Sequence, residues 1–165
     1  MVNKFLIAIV VIVAAMAALV LVPSFNSSPE QQQDLSIEYH RQNLTGIEGG
    51  RLIATSAEEL VIRTDRSAVY RNLTGSPDLK QFMVSSEDMS RLKGLILSTG
   101  FMQVPGADYP QKEGLGNLTK YTLKLASGSN SKTITWVNME ASETSIPSII
   151  TNIGAQLDTI IERRA

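Results

Sequence analysis

The chain carries a single histidine, His40, and no cysteine. One imidazole cannot supply an HExxH site or any multi-histidine metal centre. Without thiols there is no cysteine nucleophile, thiolate metal site, covalent haem attachment or disulfide. A Ser–His–acid relay would have to run through His40, which lies on an alternating stretch among polar neighbours and reads as a surface histidine. Two adjacent carboxylate pairs, Glu58-Glu59 and Glu87-Asp88, are the other groups suited to proton transfer. Glu87-Asp88 opens a predicted helix, where negative charge is favoured by the dipole. Glu58-Glu59 precedes a predicted strand and is expected in solvent. The sequence has no GxSxG, no Walker loop, no GxGxxG leading into a helix and no calcium-type acidic loop. These residues predict a protein that is not an enzyme and that uses no cofactor and no metal.

Recognition chemistry is better represented. Residues 106–117 (GADYPQKEGLGN) read as a loop in which Asp108-Tyr109-Pro110 sets an aromatic ring beside a stiffening proline. Loops with aromatic anchors favour binding contacts, so Asp108, Tyr109 and Pro110 are the first expected partner contacts, with Glu48 and Gly49 second. The competing reading turns Tyr109 into the edge of the core. Trp136 and Tyr121 invite ligand stacking, but aromatics on strands more often fill a core or cover a sheet face.

The elements that hold these residues begin with a run of grease. Residues 5–22, FLIAIVVIVAAMAALVLV, contain no charge. As a helix they extend ~27 Å, enough to cross a bilayer core. Asn3 and Lys4 precede the run, and no Lys or Arg follows it before Arg41. The positive-inside rule then places the N-terminus in the cytoplasm and the remaining chain outside. Ala15-Met16-Ala17 resembles a signal-peptidase site but lies within the run, which is longer than a signal h-region; a cleaved signal is the alternative, with the same topology. The small residues Ala14, Ala15, Ala17 and Ala18 would also permit close helix packing within a membrane complex.

Residues 23–34, PSFNSSPEQQQD, read as a polar stalk. Asn26, Asn43, Asn72 and Asn117 begin Asn-x-Ser/Thr sequons, consistent with a glycosylated exterior surface. Beyond Lys4 there are 14 basic and 16 acidic residues and no basic run, which argues against nucleic acid. A cysteine-free, sequon-bearing exterior domain suits an archaeal cell envelope.

From residue 35 onward the pattern is that of one α+β domain, 35–165. Leu35, Ile37 and Tyr39 alternate with polar residues, as do Leu60 and Ile62; Ala68–Leu73 completes a hairpin after a turn at Asp65-Arg66-Ser67. Gly46–Gly50 reads as a turn or bulge, and Arg51–Thr55 as a further short strand. Residues 85–100 form a predicted helix with Ser85 as N-cap, an apolar stripe at Met89, Leu92, Leu95, Ile96 and Thr99, and Gly100 as its left-handed stop. Tyr121–Leu125 and Ile134–Trp136 flank the turn Ser127–Asn130 in the cleanest hairpin. A last helix starts near Ser145 with Pro147 in its first turn, and its stripe runs from Ile146 to Ile161. The expected fold is an antiparallel sheet of about four to six strands with two helices on one face, behind one transmembrane helix at 1–22.

This order of elements resembles the emfourin-like domain, a small proteinaceous inhibitor associated with protealysin-type metalloproteases. The likeness is carried by Ile37–Arg41 with Gly46–Gly50, by Leu95-Ile96 running into Phe101–Pro105, by Tyr121–Leu125 with Thr133–Trp136, and by the helix after Pro147. The opening glycines are here stretched over Gln42–Gly50, and a strand pair intervenes over residues 51–73. The resemblance implies the α+β fold and an inhibitory role, with no inhibitory residue carried over. The resulting expectation is a single-pass cell-membrane protein held in lipid by residues 5–22 and displaying a protein-binding module, as a protease inhibitor or as an accessory subunit of a larger membrane complex.

Overall fold

The computed structural model describes residues 34–47, 50–75, 78–105 and 108–164. The anchor expected at 5–22, the stalk through Gln33, the sequon at Asn26 and the contact residues Glu48 and Gly49 lie outside them. Among the described residues no helix is long and apolar enough to cross a membrane.

Six strands form one antiparallel sheet: β1 (Leu35–Ile47), β2 (Arg51–Ile62), β3 (Ser67–Asn72), β4 (Leu79–Met83), β5 (Asn117–Ser127) and β6 (Asn130–Val137), in the order β4-β3-β2-β1-β5-β6. Two helices complete the fold, α1 (Ser86–Lys93) and α2 (Ser148–Glu162). The period of two decides which face they cover. Leu35, Ile37 and Tyr39 of β1, Leu60 and Ile62 of β2, Leu123 and Leu125 of β5 and Ile134 and Trp136 of β6 join Met89 and Leu92 of α1 and Ile150, Ile153 and Leu157 of α2 in one core. Leu118 of β5 and Val137 of β6 have the opposite parity and, with Ala141 beyond β6, form a second, small cluster on the other face.

β1 and β2 are longer than the alternation predicts. Their pairing continues through a bulge between Asn43 and Leu44, where Thr55 falls between the paired residues Ala54 and Ser56. The bulge is held by Asn43 Nδ2 donating to Ser56 Oγ at 2.7 Å and by Thr55 Oγ1 donating to the Asn43 carbonyl at 3.2 Å. β4 has no counterpart among the predicted strands. Its apolar Leu79 and Met83 alternate with Lys80 and half-buried Phe82, so both faces carry hydrophobic residues and the period is hidden.

The helix expected over 85–100 is shorter. Ser85 caps it as predicted, accepting from the Asp88 N–H at 3.0 Å. Regular α geometry ends at Lys93, and Gly94–Ser98 continues as one π turn. Gly94 weakens the helix by about 1 kcal/mol relative to alanine, and the turn widens there. Ile96 stays buried while Thr99, expected on the apolar stripe, is exposed and returns its hydroxyl to the Leu95 carbonyl. Gly100 is the left-handed stop, with φ 76°, and Phe101 is fully buried behind it. At α2, Pro147 is the residue before the helix rather than part of its first turn.

The two helices are tied through Asp88. Its carboxylate accepts from Gln156 Nε2 at 3.2 Å and from Arg163 Nη1 at 3.2 and 3.3 Å. α2 lies directly on the sheet because Gly154 has no side chain: a Cβ there would stand 3.0 Å from Trp136 Cζ2. Trp136 cannot yield, since its ring is stacked on Tyr121. Gly154→Val is therefore expected to cost roughly 3 kcal/mol by overpacking. Equilibrium denaturation followed by Trp136, the only tryptophan, checks this as a lower midpoint with an unchanged slope.

Candidate functional site

The register of three strands lines up Arg41, Tyr121 and Trp136: Arg41 stands opposite Tyr121 on β5, and Tyr121 opposite Trp136 on β6. All three face α2. The Tyr121 and Trp136 rings stack at 5.2 Å with planes 14° apart, and Tyr39 joins them with centroids 6.3 Å from each. On α2, Gly154 and Asp158 are four residues apart and share the face turned to this row.

Asp158 Oδ1 accepts from the Tyr39 hydroxyl at 3.0 Å and from Arg41 Nη1 at 3.1 Å. The rest of the guanidinium goes to β2, where Glu58 Oε2 accepts from Arg41 Nη2 at 2.6 Å and Nε at 3.0 Å. One cation thus serves two carboxylates, and the group carries a net charge of −1. All three side chains are about four-fifths sheltered from solvent. Burial pushes the Asp158 carboxyl above its ordinary value, and Arg41 and the Tyr39 hydroxyl only partly oppose it. Burial, reinforced by the Asp158 charge, raises the Tyr39 hydroxyl strongly; burial also raises Tyr121. For Arg41, burial works against the charged form but Asp158 and Glu58 outweigh it, so its pKa is raised.

Between α2, this aromatic row and residues 137–140 is a cleft of about 320 Å³ open to solvent. Ala155 and Thr151 form its helix wall, Trp136 and Tyr121 its sheet wall, and Met139, 71 % exposed, stands at the rim. Asp158 reaches the lining, and its hydrogen bonds all fall on Oδ1, leaving Oδ2 for a donor. The arrangement suits an apolar stem that ends in a cation or a strong hydrogen-bond donor.

The residues predicted to make contacts are distributed differently. Asp108 and Pro110 are exposed, but Tyr109 is only 9 % exposed and belongs to the core, its hydroxyl donating to the Pro105 carbonyl at 3.0 Å. The inward alternative for Tyr109 is the observed one. The reason is that Asp108 bridges Thr135 and the Tyr109 N–H donates to the Thr135 carbonyl at 2.9 Å, so the segment is laid along the edge of β6. Of the sequons, Asn43 and Asn117 are exposed. Asn72 is half-buried, and its Oδ1 accepts from the Thr74 N–H and hydroxyl, both at 3.0 Å.

Glu58 and Glu59 correct an expectation. They lie inside β2 rather than before it, and both are largely sheltered, with side-chain exposures of 20 % and 14 %. Being adjacent on a strand, they face opposite sides of the sheet. Arg41 and Asp158 were missed in sequence; the one available signal was a charged residue set beside the apolar stripe of α2.

A scan against protein-family models finds no match to this chain, and a search of curated proteins finds none either.

The raised carboxyl has a defined consequence. A proton held more tightly in the folded state stabilises it below the ordinary carboxylate value of 3.8, and that contribution is lost as pH rises through the shifted value. The stability of the wild type relative to Asp158→Asn should accordingly decline with rising pH across this acid range. Paired denaturation curves at stepped pH read the difference directly.

Proposed function

We propose that this chain is a membrane-tethered, extracytoplasmic protein-binding module that receives a basic side chain of its partner in the cleft between α2 and β6. The observation that carries the reading is the aromatic wall that ends on a largely sheltered carboxylate, Asp158. A lysine or arginine stem would pack along Trp136, Tyr121 and Met139. Its charge would meet Asp158, whose negative charge the single Arg41 must share with Glu58. The incoming cation compensates a carboxylate that burial otherwise disfavours, and this favours a basic group over a neutral one.

Tethering is supported by the uncharged run at 5–22 and by the position of Lys4 before it. The resemblance to emfourin-like domains makes a thermolysin-type metalloprotease the first partner to titrate. With Tyr109 turned inward, the cleft replaces loop 106–117 as the proposed contact surface.

Two measurements test the proposal. The full chain should remain with membrane vesicles through carbonate washing, and release into the wash would remove the tether. Capture of a partner from native membranes should fall about tenfold or more with Ala155→Trp, which fills the mouth of the cleft from an exposed helix position. Equal capture by the variant and the wild type would sink the cleft as the binding site.

A further inference from the structure

The face of the sheet opposite the helices carries a separate cluster. Glu38 and His40 alternate with Tyr39 and Arg41 on β1 and so point away from α2. Register places Glu59 of β2 across from His40, Lys124 of β5 across from Glu38, and Arg71 of β3 across from Glu59. His40 Nε2 lies 3.1 Å from Glu38 Oε1 and 3.6 Å from Glu59 Oε1. The second oxygen of each carboxylate is engaged elsewhere: Lys124 Nζ is 3.3 Å from Glu38 Oε2, and Arg71 Nη1 is 3.2 Å from Glu59 Oε2. Each glutamate thus turns one oxygen outward to a cation and the other inward to the imidazole.

We propose that Glu38, His40 and Glu59 form a site for a first-row divalent cation, with Zn²⁺ as the type ion. Their three donor atoms all lie within 4.8 Å of one another. Around a tetrahedral ion with bonds of roughly 2.0–2.2 Å, neighbouring donors stand about 3.3–3.6 Å apart. Of the two distances from Nε2, 3.6 Å lies at the upper end of that range and 3.1 Å, a hydrogen bond between His40 and Glu38, just below it. The 3.6 Å separation is too long for a hydrogen bond, so Glu59 Oε1 and the imidazole converge without bonding each other. The donors stand on two paired strands, which fixes their spacing before any ion arrives. Lys124 and Arg71 occupy the place of the outer hydrogen-bond donors that orient ligating carboxylates. One imidazole and two carboxylates, with no thiolate, suit zinc-like and harder dications and not soft Cu(I). The side chains are 29 %, 39 % and 14 % exposed for His40, Glu38 and Glu59, so a fourth position remains open to water or to a donor from outside. This site is independent of the cleft and stands or falls without it.

His40 is the only histidine in the chain, so its ring resonances report on the site without ambiguity. Full-length protein, ¹⁵N-labelled and in detergent micelles, is titrated with ZnCl₂ at neutral pH. The expected result is a shift of the His40 Nε2 resonance that saturates at one ion per chain. Glu59→Gln and Glu38→Gln should each weaken binding at least about tenfold, no less than the loss of an outer-shell partner does. Trp136 emission, on the far face, identifies a variant that has failed to fold, and the other glutamine variant then decides. An imidazole that does not respond to excess Zn²⁺ overturns the site. So does a response that both glutamine variants keep at wild-type affinity, since that would be a lone histidine contact.

Discussion

The core and both polar clusters depend on the pairing of β1, which is bound along eleven positions to β2 on one side and along eleven to β5 on the other. A strand held this way on both edges has a single register, because a slip of one residue would turn Leu35, Ile37 and Tyr39 out of the core and bring Glu38 and His40 into it. The same two-residue period sorts the chemistry. Arg41 and Glu58 go to the helix side, and His40 and Glu59 go to the other. Two glutamates that are neighbours in sequence serve two clusters on opposite faces of the sheet.

The Arg41 network is better understood as a positioning device than as a source of stability. Sheltered ion pairs give back in desolvation much of what they gain in attraction. What Arg41 adds is geometry, since it joins β2 to α2 through Glu58 and Asp158 at a fixed angle. Gly154, one turn earlier on α2, removes the steric obstacle and lets the helix lie on the Trp136 ring. Close approach at Gly154 and hydrogen bonding at Asp158 together set how α2 is rotated, and that rotation leaves the cleft beside Ala155. Because there is no cysteine anywhere in the chain, this packing must hold the domain without covalent help.

The fold is legible in the sequence where a pattern has one interpretation. The alternation of β1, the β5–β6 hairpin with its turn glycine Gly128 at φ 59°, the Ser85 cap, the Gly100 stop and the stripe of α2 all follow from local rules. The fold is not legible where the pattern is mixed or where the outcome is set by a distant neighbour. β4 has apolar residues on both faces, so no period shows. Gly94 loosens α1 into a π turn that no stripe predicts. Tyr109 is turned inward by main-chain bonds to Thr135, a residue 26 positions away, and nothing within the loop itself could choose between the two orientations. The site divides in the same way. Tyr121 and Trp136 were visible as a sheet-face aromatic pair, whereas their union with Asp158 required the rotation of α2.

The two clusters differ in how they are completed, and that difference bears on function. In the helix-side group every nitrogen of Arg41 is engaged, yet its carboxylates exceed its charge by one, so the group keeps a net negative charge beside an apolar wall. In the open-face group Lys124 and Arg71 balance Glu38 and Glu59, and two carboxylate oxygens converge on one imidazole nitrogen, Glu38 through a hydrogen bond and Glu59 at 3.6 Å. The proposed partner side chain would satisfy the first; the proposed ion, with room for one more donor, would satisfy the second. Because Arg41 and His40 are consecutive residues of β1, neither group can be moved without moving the other, and a partner gripping one face would be held by the strand that also presents the opposite one.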